Sequence, residues 1–214
     1  MRGNLFPIAK EGWSYILGAF GVFVLSFLLD FDFLEFLSFF ALLFFVFVFR
    51  NPEREHLLYQ EQSVVAPIDG VVSSIQEIGE DTNDGYKIVV ETGYAHVALL
   101  RAPFNATIED AALLKGARLS GLSPLSEELG ERAELTLSDP KSSNKMRIVH
   151  RLKQSFAPLS ISVSTNQTIM QGARYGVMVN GTTTLYLPKN FRCNINVGSE
   201  LVASETLVGY FTEK

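Results

Sequence analysis

The stretch Gly172-Ala173-Arg174-Tyr175-Gly176-Val177-Met178-Val179-Asn180-Gly181-Thr182-Thr183-Thr184-Leu185-Tyr186-Leu187-Pro188 sets two β-like runs on either side of Asn180-Gly181. Val, Thr, Tyr and Leu dominate both runs, and such side chains fit a pleated, half-buried surface. Read locally, Asn-Gly between the runs is a hairpin signal, because both residues accept the positive φ of a tight turn. The same texture continues outward through 63–66, 70–78, 86–91, 96–101, 105–112, 133–138, 146–151, 159–163, 174–179, 183–187 and 207–211. Gly, Asp, Asn and Pro separate these segments and no long helical period interrupts them. The sequence therefore predicts a mainly β domain over 63–214, a compact β-sandwich or partly closed barrel of the barrel-sandwich type. Pro124 to Glu131 reads as a short helix or a loop arm.

A weak internal echo links Val64-Val65-Ala66-Pro67-Ile68-Asp69-Gly70-Val71-Val72 to the C-terminal run from Val197-Gly198 to Thr206-Leu207-Val208. Both are similar to segments of biotinyl and lipoyl domains. Those domains carry a modifiable lysine at a hairpin tip, and no Met-Lys-Met-like tip occurs here, so a swinging-arm carrier is disfavoured.

The first quarter has a different composition. The chain has 214 residues and 17 phenylalanines, and the phenylalanines crowd into this region. Trp13 to Leu29 and Phe36 to Phe49 are apolar runs, with Asp30, Asp32 and Glu35 between them. At helical rise they reach about 25 and 21 Å, against a hydrocarbon core of about 30 Å. Two arrangements fit: a helical hairpin that crosses with local thinning, or one that dips into a single leaflet and returns. The expected organisation is a tail over 1–12, a membrane hairpin over 13–49, a polar linker over 50–62 and the β-rich domain. Arg2 and Lys10 precede the hairpin, Arg50 and Arg54 follow it, and the connecting loop holds only carboxylates. The positive-inside rule then puts both ends, and the β domain, on the cytoplasmic side of the cell membrane.

A single cysteine, Cys193, forms no internal disulfide, in keeping with a reducing compartment, and brings no metal-ligand cluster. The net charge of −5, without a basic run after the apolar region, argues against nucleic acid as a partner. Oligomeric state is left open, and a homo-oligomer is compatible with the sequence.

A hydroxyl residue beside glycine offers chemistry as well as a turn. In a strained turn a Ser or Thr oxygen attacks the preceding carbonyl, the amide becomes an ester, and elimination leaves a keto group at a new N-terminus. The spacing of Gly172, Arg174, Gly176, Gly181 and Thr182, followed by Tyr186-Leu187-Pro188, resembles the self-cleavage segment of the short-form phosphatidylserine decarboxylase family, which is pyruvoyl-dependent. Further fragments of that resemblance are Ile8-Ala9-Lys10-Glu11-Gly12-Trp13, Phe49-Arg50-Asn51-Pro52-Glu53-Arg54, Ala66-Pro67-Ile68-Asp69-Gly70, Arg101-Ala102-Pro103 and the Val197-Gly198 to Val208 tail. Their order and spacing cover most of the chain.

The resemblance implies a cut between Gly181 and Thr182, with Thr182 at the position of the family's serine. A forward count from Gly172 gives that register, with one residue missing before Tyr186, whereas a count back from Tyr186 places Gly181 there. Threonine would yield a 2-oxobutanoyl group in place of pyruvoyl, and its β-methyl stiffens χ1. The resemblance also implies that Asp69 and a strand histidine assist. His96 fills that second role if the two extra residues before Arg101 form a bulge, and Ala98 occupies the position if they extend the strand. Two functions follow from these features. One is a membrane-anchored decarboxylase of phospholipid synthesis that turns phosphatidylserine into phosphatidylethanolamine through a self-made keto group, with no metal. The other is a catalytically inactive relative that serves as a membrane-anchored lipid- or partner-binding module. A β-sandwich adaptor of an export system would need the domain outside the cell, against the arginine placement.

Overall fold

The structure, a computed structural model, describes residues 7–54, 62–78, 85–118, 125, 129–142 and 144–212. The chain divides into two compact units, Arg2–Glu53 and Arg54–Lys214. The first holds helix α1, Trp13–Leu28, and helix α2, Asp32–Val48, after a short 3-10 turn at Lys10–Gly12. The helices run antiparallel, as the ring pairs Tyr15–Phe45 at 5.6 Å and Phe23–Phe39 at 6.1 Å require. Asp30 turns the chain between them with φ 54, a left-handed conformation that aspartate tolerates. The loop is shorter than the sequence suggests. Asp32 and Glu35 lie in the first turn of α2, where the partial positive charge of a helix N-terminus favours carboxylates.

The hairpin's backbone is closed at its base. Ala9 N–H donates to Phe49 O at 2.8 Å and Asn51 N–H to Pro7 O at 2.7 Å, so the entering and leaving strands lie side by side. Its two buried serines bond within their own helices, Ser26 Oγ to Val22 O and Ser38 Oγ to Glu35 O. Phenylalanines and leucines cover the outside, Phe33 at 80 % exposure and Leu28 at 69 %. Among the described residues one helical segment, Lys10–Leu28, is long and apolar enough to cross a membrane.

The second unit is mainly β, with a helical residue at Leu129, whose N–H donates to Leu125 O at 2.9 Å. Its strands are β1 (Ser63–Val65), β2 (Gly70–Ile78), β3 (Gly85–Thr92), β4 (Leu99–Arg101), β5 (Ala106–Leu114), β6 (Arg132–Ser138) and β7 (Lys145–Leu152). They continue as β8 (Ser160–Ile161), β9 (Thr168–Ile169), β10 (Arg174–Val177), β11 (Gly181–Pro188), β12 (Phe191–Cys193), β13 (Glu200–Leu201) and β14 (Leu207–Phe211). Eight form an open antiparallel sheet in the order β13-β2-β3-β11-β7-β6-β5-β9. Two three-stranded sheets, β1-β14-β12 and β4-β10-β8, complete the unit. The inner face of the large sheet, with Ile88, Val90, Leu185, Ile148 and Leu135, joins the small sheets in one core that includes Phe104, Phe191 and Phe211.

The two echo segments of the sequence meet in space. β1 pairs with β14, β2 with β13, and Ser204 N–H donates to Ala66 O at 3.0 Å. Most of Pro124 to Glu131, and residues 55–61 of the 50–62 linker, fall outside the described residues. The segments expected at 96–101 and 159–163 contract to Leu99–Arg101 and Ser160–Ile161. His96 is part of a turn, held by its own N–H to Gly93 O at 3.0 Å.

Ile148 is wholly buried in a central position of the large sheet. Ile148→Ala should lower unfolding free energy by about 2–5 kcal/mol. Lys87→Ala should stay within about 0.5 kcal/mol of the parent, both read by denaturant titration of the detergent-solubilised chain.

Candidate functional site

The hairpin expected at Asn180-Gly181 does not form. β10 pairs with β4 and β8 in a small sheet, whereas β11 enters the large sheet between β3 and β7. The chain crosses from one sheet to the other through Met178-Val179-Asn180, so tertiary pairing overrides the local turn preference. Met178 N–H donates to Ala98 O at 2.8 Å and Lys153 N–H to Asn180 O at 3.0 Å, which fixes the crossing on both sides. Glycine is needed twice here. Gly172 takes φ 76, and a Cβ on Gly181 would run into the Arg151 carbonyl oxygen.

β11 begins at Gly181 itself, two residues earlier than its sequence pattern suggests. Successive strand residues face opposite ways, so Thr182 and Thr183 part company. Thr182 lies half-exposed on the outer face, directly between Glu91 of β3 and Arg151 of β7. Glu91 pairs with Lys153 Nζ at 3.2 Å, and the buried Arg151 Nε has no hydrogen-bond partner. Thr183 faces the core and lies between Val90 and His150.

Asp69 lies at the start of β2, at the same end of the sheet. Its carbonyl accepts from Thr92 Oγ1 at 2.8 Å, and Thr92 pairs with Gly181. One Asp69 carboxylate oxygen accepts from Ala203 N–H at 2.8 Å and the other from Arg54 Nη2 at 2.7 Å. Glu205 adds a second carboxylate to Arg54 at 3.6 Å. Nearby Arg101 is buried, and burial first, then Arg174 and Arg54, lower its pKa to about 10, with Asp69 and Glu205 opposing. His96 is half-buried in the turn after β3, its Nδ1 accepting from Gly93 N–H at 3.0 Å. Ala98, the other position for the histidine, is buried and presents only a methyl group.

Thus Asp69, His96, Gly181 and Thr182 all belong to one end of the large sheet. Among the described residues no hydrogen bond joins Asp69, His96 and Thr182 side chains to one another. The loops at this end are tied together: Tyr94 Oη and Asn180 Nδ2 both donate to Gln154 O, at 2.9 and 2.8 Å, and Tyr94 stacks on Phe156. Among the described residues no group of three or more His, Cys, Asp or Glu side chains is arranged to hold a metal ion.

One polar constellation escapes motif reading. His150 is fully buried, with Nδ1 2.8 Å from Thr183 Oγ1 and Nε2 2.6 Å from Tyr175 Oη. The sequence signal for it is parity: His150 shares the inward phase of Met146 and Ile148. Burial pushes the imidazole down to about 3 and raises the Tyr175 phenol, so both stay neutral.

Comparison with known proteins bears on the whole chain. The family model for phosphatidylserine decarboxylase matches residues 41–209. A phosphatidylserine decarboxylase proenzyme of Geobacter metallireducens is 30 % identical, over 98 % of this chain and 99 % of its own length. The proenzyme of the same name from Ehrlichia chaffeensis is 26 % identical, over 96 % and 92 %. That from a Wolbachia of Brugia malayi is 25 % identical, over 96 % and 91 %.

The His150 environment has a consequence for acid stability. The folded pKa lies below the ordinary 6.5, so the unfolded chain takes up the proton first as pH falls. Stability is intact above about 6.5 and erodes between there and about 3. In His150→Gln the slope of unfolding free energy against pH between about 5 and 4 should be shallower than in the parent by up to about 1.4 kcal/mol per pH unit. Equal slopes in denaturant titrations would contradict this reading.

Proposed function

The chain belongs to the phosphatidylserine decarboxylase family, and on that premise we propose that it decarboxylates phosphatidylserine to phosphatidylethanolamine with a keto group made at its own Gly181-Thr182 bond. It is a carboxy-lyase of phospholipid synthesis, and its apolar hairpin holds it at the cytoplasmic face of the cell membrane. The observation that carries the reading is the position of the bond: it opens a central strand, with the hydroxyl of Thr182 on the outer, half-exposed face.

That position suits a cut. β11 pairs with β3 along Gly181 to Pro188 and with β7 along Gly181 to Tyr186. After scission the new N-terminus at residue 182 stays clamped by both neighbours, and the other end stays held through Asn180 and Met178. The chemistry is an acyl shift of Gly181 from the nitrogen to the oxygen of Thr182. Elimination then releases Gly181 as a carboxylate, and water replaces the nitrogen at residue 182 so that ammonia departs.

The surroundings fit a 2-oxobutanoyl group, because Arg151 offers a buried Nε–H without an acceptor beside residue 182, a donor for a carbonyl oxygen. Bound there, the keto group supplies an electrophile for the substrate amine and a sink for the electron pair left as carbon dioxide departs. The chain's own share is placement. Thr183, locked to His150, keeps residue 182 turned outward. Asp69 with Arg54 and Arg101 stations charge at the sheet end, for the ionic headgroup.

The purified chain should run as two fragments under denaturing conditions, split between Gly181 and Thr182, the smaller resistant to N-terminal sequencing. Both should co-elute under native conditions. Intact mass reports the cut and the keto group together, and a single unmodified chain with no carbon dioxide release from phosphatidylserine vesicles would leave the lipid-binding relative as the function. Thr182→Ala should abolish the cut. Thr182→Ser should cut faster, since a stiff χ1 and a methyl group are both removed. For orientation, a cysteine placed at exposed Met170 should resist a membrane-impermeant maleimide in intact cells and react after lysis.

A further inference from the structure

A hairpin that crosses the bilayer and one that dips into a single leaflet differ in where the tip ends. α1 has 16 residues, about 24 Å at helical rise. The ring pairs Tyr15–Phe45 and Phe23–Phe39 hold α2 alongside it, so both helices reach the same depth. The base of the pair suits a headgroup region. Arg50 Nη1 donates to Phe47 O at 2.9 Å and its guanidinium lies over the Phe47 ring at 4.2 Å, with Lys10 and exposed Trp13 at the same end. The tip carries exposed Asp30 and Asp32 and half-exposed Glu35.

Between base and tip the hairpin has no polar face. Residues 12–29 and 36–49 contain no charge. Leu17, Val22 and Phe27 on α1, and Leu34, Phe39 and Phe44 on α2, are all exposed, and a step of five residues turns each of them by about 140° around its helix. Ser26 and Ser38 are buried, their hydroxyls returned to carbonyls of their own helices. A hairpin lying along the surface needs one face for water, and here every face is apolar. An upright hairpin confined to one leaflet has only about 15 Å of hydrocarbon to enter. The tip would then carry its carboxylates past the midplane into the far leaflet's hydrocarbon, where ionised groups are strongly disfavoured.

We infer that the hairpin crosses the whole bilayer, with lipid around its outer surface and Asp30, Asp32 and Glu35 in the interface opposite to Lys10 and Arg50. Lys10–Leu28 has the length to cross by itself, and α2, at 17 residues, is carried across beside it. Its reach is about 6 Å short of an average hydrocarbon core, a gap closed by local thinning of the bilayer. The direction of crossing rests on the cytoplasmic placement proposed above, which puts the tip on the outer side.

The test labels single cysteines in a Cys193→Ala background of the full chain with a membrane-impermeant maleimide, in intact cells, after lysis and in detergent. Phe31→Cys at the tip should react in intact cells, and Met170→Cys in the β unit only after lysis. Phe20→Cys, midway along α1 and exposed, should react only in detergent. Phe33→Cys gives a second reading of the tip if Phe31→Cys does not accumulate in the membrane. Tip and Met170→Cys both protected in intact cells overturns the crossing and leaves the cytoplasmic placement standing. Label on Met170→Cys in intact cells with a protected tip overturns that placement and upholds a crossing in the reverse direction. Label on both in intact cells overturns the two together.

Discussion

Everything in the β unit depends on β11 being hydrogen-bonded on both sides. Its partners β3 and β7 come from distant parts of the chain, and their registers agree at every row from Gly181 to Tyr186. A slip by one residue would turn Thr183 and Leu185 outward and Thr182 and Tyr186 into the core. The pairing therefore fixes the large sheet's centre, the inward hydroxyl that meets His150 and the outward hydroxyl flanked by Glu91 and Arg151. The hydroxyls of Thr182 and Thr183 thus lie on opposite faces of one strand.

How much of this the sequence displays depends on how local the cause is. Strands with strong alternation and clear turns are legible to the residue, as at Gly70–Ile78 and Leu207–Phe211. β9, β12 and β13, of two or three residues each, are not, because pairing with a preformed neighbour creates them and no internal pattern does. Asn180-Gly181 carries a genuine turn preference, yet a hairpin needs its two runs to pair with each other, and these runs pair elsewhere. The helical hairpin was visible in composition, with its loop shortened because Asp32 and Glu35 sit in the first turn of α2, a charge-dipole match.

The candidate site divides along the same line. Gly181, Thr182 and Asp69 lie in contiguous motifs, so they can be picked out without a fold. Glu91, Arg151 and His150 become neighbours only through register, and nothing in the spacing of a linear chain tells which of a dozen strands will lie beside β11. His150 is further concealed because a histidine at an inward position looks like a misplaced polar residue until Thr183 and Tyr175 are seen to satisfy both ring nitrogens.

The placement of β11 also orders events in time. It is made late in the chain but belongs in the middle of the sheet, so β3 and β7 must wait for it before their facing edges are filled. A reaction that requires Thr182 to be held between them cannot start in a half-built molecule, and the cut would serve as a chemical record that assembly is complete. Once made, that record is permanent. The two pieces would share a core that neither can rebuild alone, so the mature molecule would owe its persistence to slow unfolding more than to reversible equilibrium.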